Sequence, residues 1–191
     1  DWHSVDQHQR QQMVAEIEKV DPDRLLNTSV DDLALYFYEK YKIDVPVLDE
    51  ENLVVDQREK QIDVSRDPSR HITDRSRPFY ITGSEIEVEI PFTGEAEAFK
   101  IQPNPYTMSP PRANVRGNLL TFTIVGTNLE ATQVRGEIEL TVREVQSYLA
   151  NLRANVAGLN GQLQGEARTA IEARRNKLLA NRNTVASLGF K

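Results

Sequence analysis

The sequence predicts an α+β fold with N-terminal helices, a small antiparallel sheet or sandwich, and a long C-terminal antiparallel helical hairpin. Three observations predict it. Apolar residues recur about every 3.6 positions in 4–20 and again in 29–41, the period of a helix with one buried face. Between 53 and 125 the period becomes two, as in strands with one buried face. After Gly126 the helical period returns. These switches divide the chain into a helical segment (1–46), a β region (47–127) and a helical hairpin (128–191), read as one compact module. At 191 residues it can bury roughly 70% of its unfolded surface, enough for a core without staples.

In the first helix Val5, Gln9, Met13, Ile17 and Val20 follow one face. Ser4 and Gln7 stand in capping-box spacing at its start, and Asp21-Pro22 marks its end. Ser29 with Asp32 opens a second helix, with Leu33, Phe37 and Tyr41 on one face, and Asp44-Val45-Pro46 closes it. The roughly nine residues between these helices exceed the three to four of a helix-turn-helix, which argues against that DNA-reading motif.

The clearest strand alternates Ile86, Val88, Ile90 and Phe92 against Glu85, Glu87 and Glu89, whose carboxylates should meet water or arginines. Further strands are expected at 53–55, 61–64, 79–81, 99–101, 114–116 and 119–125, with Gly117-Asn118 as a tight turn. Pro103, Pro105, Pro110 and Pro111 interrupt the ladder, so their stretch should follow an edge or cross between sheets. Beyond the strands, Ile138, Val142, Val145, Leu149, Leu152, Val156 and Leu159 form a long apolar stripe. Gly158, Gly161 and Gly165 mark the expected hairpin turn, and Ala167, Ala170, Ile171, Leu178, Leu179, Val185 and Leu188 carry the returning helix. A helix of about 20 to 25 residues is roughly 30 to 38 Å long, so the hairpin's far end needs a partner. Ile138, Val145, Leu149, Leu152, Ile171 and Leu178 are the candidate partner interface.

The composition excludes several classes of function. Cysteine is absent, which removes disulfides, zinc thiolates and thiol nucleophiles and fits a reducing compartment, so a cytoplasmic location is expected. No apolar run reaches the roughly 20 residues of a membrane-spanning helix. The formal net charge of −6 is unsuited to a surface wholly devoted to phosphates. None of the seven lysines has an acidic residue two positions before it, as a restriction-type nuclease centre requires. The Gly-x-x-x-x-Gly-Lys loop and His-Glu-x-x-His are missing as well. No catalytic residue, metal ligand or cofactor is predicted.

One stretch concentrates unusual chemistry. Residues 63–79 hold Arg66, Arg70, Arg75, Arg77 and His71. Guanidinium forks match phosphate oxygens in bidentate geometry, so the four arginines are a candidate anion or nucleic-acid site. Asp63, Asp67 and Asp74 are interleaved with them, and the glutamates at 85–89 are close in sequence. Pairing at home is therefore the favoured reading.

Several segments carry a resemblance. Leu48-Asp49-Glu50-Glu51-Asn52, Asp63-Val64-Ser65-Arg66-Asp67-Pro68, Ile90-Pro91-Phe92-Thr93-Gly94, Pro110-Pro111-Arg112, Ile171-Glu172-Ala173-Arg174-Arg175 and Val185-Ala186-Ser187-Leu188-Gly189 resemble the amino-terminal region of a group of uncharacterised bacterial proteins with a downstream restriction-endonuclease-like domain. The likeness spans about residues 30 to 190. It implies that the chain is a fragment whose catalytic partner domain follows it, in keeping with a start at Asp1 and a stop at Gly189-Phe190-Lys191. The expected function is a non-catalytic accessory domain of a bacterial nuclease-like, antiphage-defence protein, acting by self-association or by sensing another protein. A nucleic-acid-binding module using the arginine stretch is the alternative.

Overall fold

The structure is a computed structural model that describes residues 1–107 and 110–190. Met108 and Ser109, within the proline-rich stretch, and the terminal Lys191 lie outside the described residues. The chain gathers into two compact units: 1–45 with 100–106 and 151–191, and 46–99 with 107–150. Among the described residues no helix is long and apolar enough to cross a membrane.

The first unit is helical. Helix α1 (Trp2–Lys19) begins earlier than Ser4 because Asp1 is its cap: the Asp1 carboxylate accepts from Ser4 N–H at 2.9 Å. Pro22 does more than end α1. The Asp21 carboxylate accepts from Asp23 and Arg24 N–H, both at 3.1 Å, and Pro22 takes the first helical position of a short helix α2 (Pro22–Asn27), which the periodicity does not reveal. Helix α3 (Val30–Tyr41) starts as expected at Ser29, whose hydroxyl accepts from Asp32 N–H at 3.1 Å. The core of this unit is Met13, Ile17, Leu25, Leu33, Ala34 and Phe37, with Leu152, Val156, Leu159, Leu163, Ala167 and Ile171 of helix α4 (Ala131–Ser187).

In place of the expected antiparallel hairpin, α4 is one continuous helix of 57 residues. Gly158, Gly161 and Gly165 do not turn the chain. A glycine inside a helix costs only about 1 kcal/mol relative to alanine, whereas proline costs about 3, and α4 contains no proline. All three glycines are exposed, while the buried positions 152, 156, 159, 163, 167 and 171 keep a spacing of three or four through them. The stripe therefore stays in phase, and burial outweighs the weak local preference to break.

The second unit is a five-stranded antiparallel sheet with the α4 residues 131–150. Its strands are β1 (Val47–Leu48), β2 (Val54–Asp63), β3 (Tyr80–Thr93), β4 (Asn114–Arg116) and β5 (Leu119–Gly126), with β3 at the centre. One side of β3 pairs with β1 and β2, the other with β5, and β4 closes the β5 edge. The expected pieces 53–55 and 61–64 fuse into β2, because an edge strand exposed on both faces pairs through its backbone and shows no period-two signal. The expected strand at 99–101 is instead the end of a 3-10 turn, Ala96–Lys100, which sets Phe99 edge-on against Phe92 with centroids 5.1 Å apart. Gly117, at φ 61°, supplies the first position of the two-residue β4–β5 turn. Registration places Val88 beside Val55 and Phe122, and Ile90 beside Leu120. Val88, Ile90, Phe92, Leu120, Phe122 and Ile124 are buried, as are Val134, Val142, Val145 and Leu149. The Tyr148 hydroxyl donates to the carbonyls of Phe99 at 3.0 Å and Ala98 at 3.3 Å, and burial pushes its pKa up to about 12.

Candidate functional site

The arginine stretch becomes the loop between β2 and β3, and its aspartates organise it. Asp63, Asp67 and Asp74 each stand two residues before a serine. Each carboxylate accepts from that serine's backbone: Ser65 N–H at 2.9 Å, Ser69 N–H at 2.9 Å and Ser76 N–H at 3.0 Å. Asp63 also accepts Phe79 N–H at 3.0 Å, closing the loop's base. These bonds hold all three carboxyls below the usual aspartate range: for Asp63 the Ser65 N–H leads, for Asp67 and Asp74 the serine hydroxyls do. Side chains that satisfy nearby backbone donors in this way form Asx turns.

The four candidate anion-binding arginines do not converge. Arg75, though exposed, folds back over the loop and donates to the carbonyls of Ser65 at 3.2 Å, Asp67 at 3.0 Å and Arg70 at 2.8 Å. Arg70 donates to Asp67 at 3.2 Å. Arg77 has its nearest carboxylate, Asp74, at 3.8 Å and a side chain 85% exposed, and Arg66 is exposed near Asp63. Two arginines thus build the loop and two face solvent. Beside them Phe79 and Tyr80 are both more than half exposed.

The glutamate face of β3 is self-paired. Glu85, only 3% exposed, accepts from Lys60 Nζ at 2.6 Å and from Arg58 Nε, and these two cations hold its carboxyl below the usual range. Arg116, from β4, bonds Glu89 and stands 3.4 Å from Glu87. The expected meeting of glutamates with arginines is what the sheet register produces.

The candidate partner interface divides in two. Val145, Leu149, Leu152 and Ile171 are buried within the chain at 0–3% exposure, so they serve the core and offer no surface to a partner. Sequence periodicity marks a face that will be covered without saying by what. Ile138 and Leu178 are half-buried, and each lines a cleft within its own unit. Around Ile138 lie Leu53, Ile86, Leu129 and Val134, in a cleft of about 750 Å³ rimmed by Glu50, Gln57, Arg135 and Glu139. Around Leu178 lie Val14, Ala170 and Ala173, in a cleft of about 610 Å³ bordered by Arg174, Lys177, Glu18 and Asn181. Past this second cleft α4 carries Leu179 and Val185, and Leu188 follows its end, all exposed at 45–65%.

The basic residues around that end of α4 are mostly occupied. Arg174 donates to Ile17 O at 2.7 Å and Arg175 to Thr28 O at 3.1 Å, satisfying carbonyls at the ends of α1 and α2. Arg168 pairs with Asp31, and Arg182 with Asp23 at 2.8 Å. Sequence reading missed these roles, because each arginine's acceptor is more than a hundred residues away. His3, His8 and His71 are separately exposed, and no group of three metal-ligating side chains occurs among the described residues. No protein-family model, curated protein or solved structure matches the chain.

Proposed function

We propose that the chain is a non-catalytic accessory module that binds another protein, within a bacterial nuclease-like protein of the antiphage-defence kind that its resemblance implies. The supporting observation is the course of the α4 stripe. Ile171 is fully buried, Leu178 seven residues on is half-buried, and Val185 seven further is 65% exposed. The seam that packs the helical unit thus continues past its covering, into an apolar cleft and an open helix face. Among the cleft's bordering charges Arg174 and Lys177 outnumber Glu18, which suits an amphipathic helix with acidic flanks laid into the groove.

A synthetic acidic amphipathic helix titrated against the chain, followed by backbone NMR shifts, tests this. Shifts should centre on Val14, Ala173 and Leu178, and a Leu178→Glu/Val185→Glu variant with an unchanged melting temperature should lose them. Shifts spread evenly, or unaffected by the variant, would overturn the reading.

A second reading rests on Arg66 and Arg77, the two loop arginines that face solvent next to exposed Phe79 and Tyr80. It makes the β2–β3 loop a nucleic-acid contact. Its signature is an affinity for single- or double-stranded oligonucleotides that falls steeply with salt and is abolished by Arg66→Glu/Arg77→Glu. Equal weak binding by the wild type and this variant removes it.

A further inference from the structure

Strand β2 has one free edge. Among the described residues it pairs only with β3, over all ten of its residues, and nine of those ten are exposed. The direction of its backbone groups follows from neighbouring bonds. Val64 N–H donates to Phe79 O at 2.8 Å, so even-numbered residues of this strand face β3. In an antiparallel ladder the alternate residues face the other way, which leaves the N–H and C=O groups of Val55, Gln57, Glu59 and Gln61 on the outer edge. Gln57 N–H donates instead to the Asp56 carboxylate at 2.8 Å. No backbone hydrogen bond reaches this edge among the described residues. Native sheets seldom leave an edge of this length open.

We propose that β2 pairs with β2 of a second copy, antiparallel about a two-fold axis at Gln57, making one sheet continuous across a homodimer. This surface is separate from the α4 cleft and does not rest on its role. Charged side chains on an edge ordinarily repel other strands, but here their order selects one register. Two-fold symmetry sets a residue opposite itself at the axis, and its neighbours opposite each other. An axis at Asp56, Arg58, Glu59 or Lys60 opposes two like charges at the centre, an axis at Gln61 opposes Glu59 to Asp63, and an axis at Val55, Ile62 or either end residue pairs three residues of the strand or fewer. At Gln57 the central pair is neutral, and Asp56 lies opposite Arg58 of the second copy, twice by symmetry. The outward N–H of Gln57 then meets the carbonyl of Gln57 in the second copy, and the Asp56 carboxylate that now holds it is free to turn to the opposing guanidinium. Val55 and Glu59, and Val54 and Lys60, complete the pairing.

The absence of cysteine makes the register directly measurable. Directly opposed hydrogen-bonded residues have Cα atoms about 5.5 Å apart, within the range a disulfide spans. Under mild oxidation Gln57→Cys should therefore cross-link to itself, while Gln61→Cys, whose copies are offset by about 27 Å along the strands, should not. Sedimentation of the full chain should show a concentration-dependent dimer. Asp56→Arg should weaken it on the order of tenfold, since two attractive cross-strand pairs become repulsive. Gln57→Pro, which removes an N–H that β3 does not use, should abolish the dimer while circular dichroism stays unchanged. A chain that remains monomeric at millimolar concentration overturns the proposal. So does a dimer indifferent to both substitutions, or equal cross-linking at positions 57 and 61.

Discussion

Asn160 and Ile43, 117 residues apart, are joined by two hydrogen bonds through one side-chain amide. Ile43 N–H donates to Asn160 Oδ1 at 3.1 Å, and Asn160 Nδ2 donates back to Ile43 O at 3.0 Å. The amide reads the peptide as a neighbouring strand would. Asn155 repeats the device on Asn104, with both bonds at 2.8 Å, and Asn151 Nδ2 reaches Pro105 O at 3.3 Å. One helix face of α4 thereby satisfies loop backbone that no strand or helix serves.

Asn160→Ala should cost about 1–3 kcal/mol, because it leaves a part-buried donor and acceptor of Ile43 unpaired. Urea unfolding checks this. A loss within error of zero would mean that water replaces the amide at no cost.

Gly158, Gly161 and Gly165, exposed along the middle of α4, make a test of helix continuity. An added Cβ at Gly158, Gly161 or Gly165 meets nothing within 4 Å. Replacing all three with alanine should raise stability by roughly 2 kcal/mol, from the conformational freedom that glycine loses on entering a helix. A destabilised triple variant would instead indicate that these residues turn the chain.

The β2–β3 loop should respond to acid. Asp63, Asp67 and Asp74 titrate below their ordinary 3.8 in the folded chain. Their contribution is therefore complete above pH 3.8 and is lost as pH falls through the depressed values. The amide shifts of Ser65, Ser69 and Ser76 should move with midpoints below 3.8. Midpoints at or above that value would remove the Asx bonds from the account of the loop.

Alkali probes both units. Tyr41 is pushed up to about 12 by burial and by its bond to Glu16, as Tyr148 is by burial. These raised values mean that stability from the protonated hydroxyls is full below pH 10.0 and declines as pH rises through about 12. Ultraviolet titration should show a late phase, with Tyr41→Phe and Tyr148→Phe each removing part of it. No change in either variant would contradict the assignment.

Much of the architecture was legible because its causes are local. Ser29 three residues before Asp32 specifies a cap, the alternation from Glu85 to Phe92 specifies a strand, and Gly117-Asn118 specifies a two-residue turn. Strand β2 was legible only in pieces, since its central residues are exposed on both faces and carry no pattern. The candidate site was less legible still. Four arginines within a dozen residues suggest one anion site, yet Arg75 binds three carbonyls and Arg70 one aspartate, pairings that depend on how the loop folds back.

The sequence by itself determined the succession of helical, strand and helical regions, the start of α3 at Ser29, the β4–β5 turn, and the buried faces of α1, α3 and the second half of β3. Spacing, capping and turn chemistry act over a few residues and need no distant partner. Only the tertiary structure decided that Gly158, Gly161 and Gly165 stay helical, that Leu149 and Ile171 are core, and that Arg174 and Arg175 cap α1 and α2. In each case two local outcomes differ by about the energy of a few contacts, and the contacts that choose between them come from residues far away in the chain.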